Sequence, residues 1–247
     1  MLVFVATSTE HDQLKARAAA LGLSFAKRKG RFGSYYDLGT VGANRVLAVK
    51  TQIGAFGHRG SAASALLYLS ETGATGIVSV GMCFGIDRTA QKVGDVLVSS
   101  GLVAYDDREV CDQPTTRWDY RYRNPALYRS KGSLYAMLQR SITQLGGSAG
   151  YGARTGALLT GGARISSRDY RDMLVEKLSV CGEPIVGGEM EGAGLLSSSD
   201  PGDPVWIVVK GICDFADSPT RATDAERTLA CRNACDFLLK ALAATIT

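Results

Sequence analysis

The run Val205-Trp206-Ile207-Val208-Val209-Lys210-Gly211-Ile212-Cys213-Asp214 constrains the fold more than any other stretch. Its first five residues are apolar, and nearly all are β-branched. A continuous apolar run of this length, bounded by polar residues, reads as a strand buried on both faces in a sheet covered by helices. Such a strand is expected to keep charge out of its interior, so Lys210 and Asp214 are read as marking its outgoing end. In α/β sheets ligands bind beyond the carboxyl ends of the strands. After it, Asp217-Ser218-Pro219 reads as a capped loop.

The rest of the chain supplies partners for that strand. Leu2 to Thr7 reads as a buried strand, followed by a helix to about Leu21 with Ser8 or Thr9 as its N-cap. Ser34 to Val41 and Arg45 to Gln52 form a hairpin around Gly42-Ala43-Asn44. A helix with Ala62, Ala65, Leu66 and Leu69 at helical spacing comes next. Thr75 to Gly81 is a strand, and Gly81-Met82-Cys83-Phe84-Gly85 reads as a sharp backbone turn. Another strand spans Gly94 to about Ala104. Residues 105–124 mix Asp, Arg, Tyr and Trp without apolar period and read as a long loop of the functional or mobile kind.

A helix from Pro125 to Gln144, a strand from Ala153 to Thr160 and a helix from Arg168 to Leu178 follow. Ile185-Val186 is a short strand, and Glu189 to Ser198 a short helix. Thr223 and Glu226 form a capping box for a last helix with Ala230, Ala234, Phe237, Leu238, Ala241 and Leu242 on its apolar face. Alternating strands and helices imply an α/β chain: a single-domain three-layer α/β/α unit over residues 1–247, with a mixed, largely parallel central sheet. There is no repeat or linker to divide it.

Hydrophobic residues at 45% and charged residues at 21% fit a globular chain. The net charge of +4 comes without the Lys/Arg runs of a nucleic-acid or membrane surface, so neither partner is expected. No apolar run reaches the roughly 18–20 residues of a membrane span, and the first residues enter a strand without a basic leader. The six cysteines show no C-x-x-C spacing and there are two histidines, so no metal and no cofactor is expected. Cys231 and Cys235, one helical turn apart, read as reduced thiols on a packed face, and a cytoplasmic setting is expected.

Candidate chemistry rests on acids. Glu189 and Glu191 lie between glycines, where the bland reading is carboxylates at the positive end of a helix. Glu10 has a similar reading as an ordinary first-turn acid, and Asp214 as a cap for the loop after it. Three acids from distant strand exits would nevertheless converge on one rim of an α/β sheet.

Two segments carry a resemblance: Gly187-Gly188-Glu189-Met190-Glu191-Gly192-Ala193-Gly194-Leu195 and Lys210-Gly211-Ile212-Cys213-Asp214-Phe215-Ala216-Asp217. Together with Glu10 after the first strand, the Gly81–Gly85 stretch and the Thr160-Gly161-Gly162 loop, they resemble the nucleoside phosphorylase/nucleosidase superfamily. The closer resemblance is to methylthioadenosine/S-adenosylhomocysteine nucleosidases and to the nucleosidase domains of defence proteins. It implies a phosphorylase/hydrolase-like fold and hydrolysis of the N-glycosidic bond of a purine, adenosine-type nucleoside. Asp214 would supply the proton or hydrogen bond to purine N7, and Glu10 would activate water. Glu191 would take the ribose hydroxyls, with Met190 on the sugar and Lys210 as cationic partner to the acids. Glu189, Gly81, Met82, Arg164 and Ile165 would complete the substrate site.

The pattern departs from the family at three places. Met82 and Cys213 each stand where a hydroxyl is usual, and Arg164 stands where an aromatic is usual. These bear on water delivery and base preference. A phosphorylase is the same-class alternative, but Ala6-Thr7-Ser8-Thr9-Glu10 lacks the arginine of a phosphate loop, and a carboxylate there favours water. Gly57-His58-Arg59-Gly60-Ser61 is a rival anion cradle, or simply a solvated turn. Arg108, Arg117, Arg121 and Arg123, interleaved with Trp118, Tyr120 and Tyr122, would cover a nucleotide phosphate if the substrate were ATP or AMP, or form a plain soluble lid. A non-catalytic nucleoside-binding module is the different-class alternative. A dinucleotide oxidoreductase is disfavoured, because no G-x-G-x-x-G follows the first strand. The resemblance also implies a homodimer or a higher homo-oligomer.

Overall fold

The computed structural model describes residues 1–113, 117–130, 132–145, 149–179, 182–198 and 206–244, without the side chains of 113, 117 and 118. Cys181, Val205 and the side chains of Arg117 and Trp118 therefore lie outside the described residues.

Strand β1 (Leu2–Val5) leads into helix α1 (Ser8–Ala20) and an antiparallel meander of β2 (Ala26–Lys29), β3 (Ser34–Val41) and β4 (Asn44–Lys50). Helix α2 (Ser61–Thr72), β5 (Ile77–Gly85) and β6 (Val96–Ala104) follow. A separate hairpin of β7 (Glu109–Gln113) and β8 (Arg117–Arg121) precedes the short β9 (Leu127–Arg129). Then come α3 (Gly132–Leu145), β10 (Ala153–Thr160), α4 (Arg168–Leu178), β11 (Ile185–Glu189), α5 (Gly192–Leu196), β12 (Trp206–Asp214) and α6 (Asp224–Ala243).

The expected α/β architecture with a mixed sheet and flanking helices is present. The sheet runs β11-β10-β6-β12-β5-β1-β4-β3-β2, with β9 on β6. It is not the middle layer of a simple three-layer sandwich. Strand β11 pairs both with β10 and, antiparallel, with β5, so β5, β12, β6, β10 and β11 close into a barrel-like ring. Nor is it largely parallel: β1–β4, β1–β5, β5–β12, β6–β10 and β10–β11 are parallel, but β6–β12 and the other pairings are antiparallel.

Glycines make the closure possible. A Cβ on Gly188 would lie 2.2 Å from the Phe84 ring, and one on Gly187 would lie 2.6 Å from the Phe84 carbonyl. Only backbone without side chains lets β11 approach β5 this closely. The same logic corrects the reading of residues 81–85, which do not turn but continue β5 to Gly85. Their glycines serve close approach, since neither Gly81 nor Gly85 has a positive φ.

Strand β12 sits inside this ring between β5 and β6, and every residue but Asp214 is buried. Lys210 is therefore in the middle of the strand and fully buried, not at its outgoing end. A charge can occupy that position because a carboxylate meets it, as described below.

Helix α6 has the expected capping box, with Glu226 N–H donating to Thr223 Oγ1 and Glu226 Oε2 accepting from Thr223 N. Its predicted apolar face is wholly buried against α1 and β12. Burying Phe237 and Leu238 alone contributes on the order of 2–3 kcal/mol each. Helix α2 differs from expectation by one position: Ser61, Ser64, Ala65 and Tyr68 face inward, and Leu66 is 54% exposed. Its buried face is set by the contact with α5, where a Cβ on Gly194 would lie 2.1 Å from Ser61 Oγ. Two segments read as irregular or helical contain strands: 105–124 holds the β7–β8 hairpin, and 125–144 holds β9 before α3. No helix of the described residues is long and apolar enough to cross a membrane.

Candidate active site

Three sequence segments bring their acids to one place. At the exit of β1, Thr7 is the N-cap of α1, and its Oγ1 accepts from Glu10 N at 3.2 Å. Glu10 Oε2 in return accepts from Ala6 N at 2.7 Å and Thr7 N at 2.8 Å. The bland reading of Glu10 as a first-turn cap is thus true, and it is the device that fixes the carboxylate. Its other oxygen, Oε1, accepts from Met82 N of β5 at 3.0 Å. Gly81 makes room for this: a Cβ there would lie 1.8 Å from Glu10 Oε1.

The β11–α5 junction supplies two more acids. Glu189, the last residue of β11, accepts from Glu191 N at 2.9 Å and from Gly192 N at 2.9 Å and 3.0 Å. This carboxylate caps the short helix and locks the backbone on which Glu191 stands. Burial raises the Glu189 carboxyl above its ordinary value; Lys210 opposes the rise and the Glu191 charge adds to it. Glu191 Oε2 accepts from Lys210 Nζ at 2.8 Å, and Oε1 accepts from Gly54 N at 3.1 Å. The Glu191 carbonyl takes the Ser61 hydroxyl at 2.5 Å, tying α2 to the same turn.

Lys210 is the electrostatic centre of this group. Burial would push its ammonium down, but Glu191, Glu10 and Glu189 together outweigh that and hold it above its ordinary value. It stays charged, surrounded by carboxylates. A fully buried lysine is retained where such a partner stabilises it, and the pair is lost if either member is removed.

Asp214 ends β12 beside Phe84 of β5. Its Oδ1 accepts from Ala216 N at 3.0 Å, and the Cys213 thiol lies 3.4 Å from Oδ2. Ala216 has φ of +51°, the one non-glycine residue in the left-handed region among those described. That conformation costs an alanine roughly 1–2 kcal/mol, and the carboxylate contact holds it. Beyond it, Asp217 takes a two-pronged Arg88 contact at 2.7 Å and 3.0 Å, which holds its carboxyl below the ordinary range.

Glu10, Met82, Arg164, Ile165, Glu189, Met190, Glu191 and Asp214 all line one cavity of about 290 Å³. Two expected site residues do not. Gly81 and Lys210 lie behind the wall, where one admits the Glu10 carboxylate and the other anchors Glu191. The lining also includes Ile53, Phe84, Arg221 and Arg227, which the sequence reading did not single out. The capping box pins the first turn of α6 just after Asp214, and that spacing was the available signal for the two arginines.

Among the described side chains of the polar segment 105–124, Arg108, Arg121 and Arg123 do not line this cavity. Arg108 donates to the Tyr105 carbonyl at 3.2 Å and Tyr170 Oη at 2.6 Å, and stacks 4.1 Å above the Tyr120 ring. Arg123 pairs with Glu109 at 3.0 Å. With Arg121 they line a separate surface hollow. Among the described residues no His, Cys, Asp and Glu group has a metal-holding arrangement.

The fold is that of a known group of enzymes. A methylthioadenosine/S-adenosylhomocysteine nucleosidase from S. pneumoniae superposes with a TM-score of 0.76 at 19% identity, covering 98% of both chains. The corresponding nucleosidase of Colwellia psychrerythraea, solved with adenine, gives 0.75 at 21% identity over 98% of this chain and 93% of that one. Futalosine hydrolase of Helicobacter pylori gives 0.75 at 17% identity, over 98% and 96% of the two chains. The chain thus has the fold of the nucleoside phosphorylase/nucleosidase superfamily. Among curated proteins, a death domain-containing ATP nucleosidase of the sponge Amphimedon queenslandica is 24% identical over 178 residues, 66% of this chain. This chain spans about a third of that relative's length, at 32%. No family model matches.

Proposed function

We propose that the chain hydrolyses the N-glycosidic bond of a purine nucleoside of the adenosine type and releases the free base. One observation carries this: Asp214, Glu191 and Glu10, from three distant segments, line a single cavity. A base, a ribose and a water each have a carboxylate facing them there.

Asp214 serves the leaving base. Its Oδ1 accepts from Ala216 N, and Oδ2, met only by the Cys213 thiol at 3.4 Å, is the oxygen that serves the purine. A proton or strong hydrogen bond delivered to N7 lets the base depart neutral, and a positioned acid is worth roughly 10²–10⁴ in rate. Glu191 serves the sugar. Each of its oxygens has one protein partner and keeps a lone pair for a ribose hydroxyl, and its charge stabilises the developing oxocarbenium ion. Glu10 takes a proton from water as that water attacks C1′, on the face opposite the departing base. Lys210 and Glu189 position Glu191 and need not touch substrate. Met82, in place of a hydroxyl, leaves the water to Glu10 and to backbone.

Hydrolysis is favoured over phosphorolysis because the Glu10 carboxylate lines the cavity itself, where it would repel a phosphate attacking C1′. The described cysteines are all unbridged, which supports the cytoplasmic setting. Ile53, which lines the cavity and is 61% exposed, supports a second copy of the chain as cover.

The test is base release from methylthioadenosine, S-adenosylhomocysteine, inosine, AMP and ATP, with and without phosphate. Base released without phosphate is expected. Release only with phosphate would make the chain a phosphorylase, and none from any substrate would leave a binding module.

A further inference from the structure

A second chamber adjoins the cavity, and that chamber bears on the substrate class; the inference rests on the nucleoside-hydrolase reading above. Thr7 and Ile53 line both spaces. Ile53 precedes Gly54, whose amide binds Glu191, so the junction lies at the ribose end. Asp214, Arg164 and Ile165, at the base end, line none of the chamber. The chamber measures about 730 Å³ and opens to solvent.

Its lining is cationic. Lys27 comes from β2, Lys50 from the end of β4 and Arg59 from the loop before α2. Hydroxyls of Ser8, Ser34 and Tyr36 lie among them, and no carboxylate does. Lys50 Nζ donates to Ser8 Oγ at 2.8 Å. Among the described residues none of the three cations has a carboxylate partner. Like charges from three separate segments around one space repel one another, and an anion in that space relieves the repulsion. An apolar thioether would gain nothing from such walls.

We propose that this chamber receives the 5′-phosphate chain of a nucleotide whose nucleoside part occupies the cavity, making the substrate a purine nucleoside oligophosphate. The Arg59 loop, read from sequence as a possible anion cradle, contributes through its side chain, and Arg108, Arg121 and Arg123 do not take part. The size of the chamber accommodates more than one phosphate.

The experiment compares kcat/KM for ATP, AMP and adenosine in the wild-type chain, in Lys27→Ala/Arg59→Ala and in Lys50→Ala, with ATP affinity measured by calorimetry in parallel. All three substitutions are at exposed positions, so folding is retained. Wild type is expected to prefer ATP to adenosine. The double variant is expected to lose on the order of a hundredfold for ATP, through KM, if each charge-assisted contact is worth about tenfold. Adenosine cleavage stays within about twofold, a margin equivalent to roughly 0.4 kcal/mol. Rising ionic strength is expected to raise KM for ATP and not for adenosine. Base release from adenosine without an ATP preference, or an ATP preference and affinity unchanged in the variants, overturns the chamber proposal and leaves hydrolysis standing. Absence of base from every substrate overturns the hydrolase reading, and the calorimetry then still decides the chamber by whether the variants lose ATP affinity.

Discussion

Replacing Lys210 by methionine tests the idea that one buried cation organises the acids. Lys210 is fully buried, its Nζ is 2.8 Å from Glu191 Oε2, and Glu191 is itself only 7% exposed. Methionine keeps much of the volume but strands a carboxylate next to two others, Glu10 and Glu189. Breaking a buried pair by removing one partner costs about 3–5 kcal/mol. For a chain of this size each kcal/mol shifts Tm by about 2–4 °C, so a fall of roughly 6–20 °C is expected. The double variant Lys210→Met/Glu191→Gln removes the carboxylate paired directly with the cation and leaves only Glu10 and Glu189 without it, so it recovers part of that loss while activity stays absent. The assay is a double-mutant cycle by urea and thermal unfolding, with base release measured alongside. Lys210→Met as stable as wild type, or a double variant no better than the single, would refute the reasoning.

Three further outcomes follow from the geometry. Gly81→Ala drives a methyl into Glu10 Oε1 and must displace that carboxylate, so turnover should fall about 10²-fold or more with a smaller change in KM; steady-state kinetics check this. Asp217→Asn removes a carboxylate whose folded-state value is depressed by Arg88, so the native charge pair stabilises above the unfolded value and loses that contribution as pH falls through the folded one. The stability difference between wild type and variant should therefore be present at neutral pH and vanish in acid, as read from unfolding midpoints against pH. Gly188→Ala places a Cβ 2.2 Å from the Phe84 ring at the ring closure, and should destabilise by about 1–3 kcal/mol in denaturant titration.

Much of the frame was legible because local chemistry and burial agreed. The α6 stripe, the Thr223–Glu226 box and the β10 strand needed no tertiary knowledge. Lys210 was misplaced because the rule against buried charge holds only for an unpaired group, and its partner Glu191 arrives from another strand–helix turn. The Gly187-Gly188 pair was visible as glycine, yet nothing local says that Phe84 would occupy the space, so ring closure was not readable. The β7–β8 hairpin escaped because β7 (Glu109-Val110-Cys111-Asp112-Gln113) does not alternate apolar and polar residues and β8 alternates charged with aromatic ones, which gives no apolar period. The acids lining the cavity could be named one by one; the chamber beside them could not. Lys27, Lys50 and Arg59 lie in a meander, at a strand end and in a loop, and only the folded chain brings them together.

In the proposed function Asp214 delivers the proton or hydrogen bond by which the base leaves. The direct measurement is turnover and analogue affinity of Asp214→Asn on the best substrate of the panel. A loss of about 10²–10⁴ in kcat is expected, with tight binding of a nucleoside analogue retained. Turnover near the wild-type value in Asp214→Asn would contradict it.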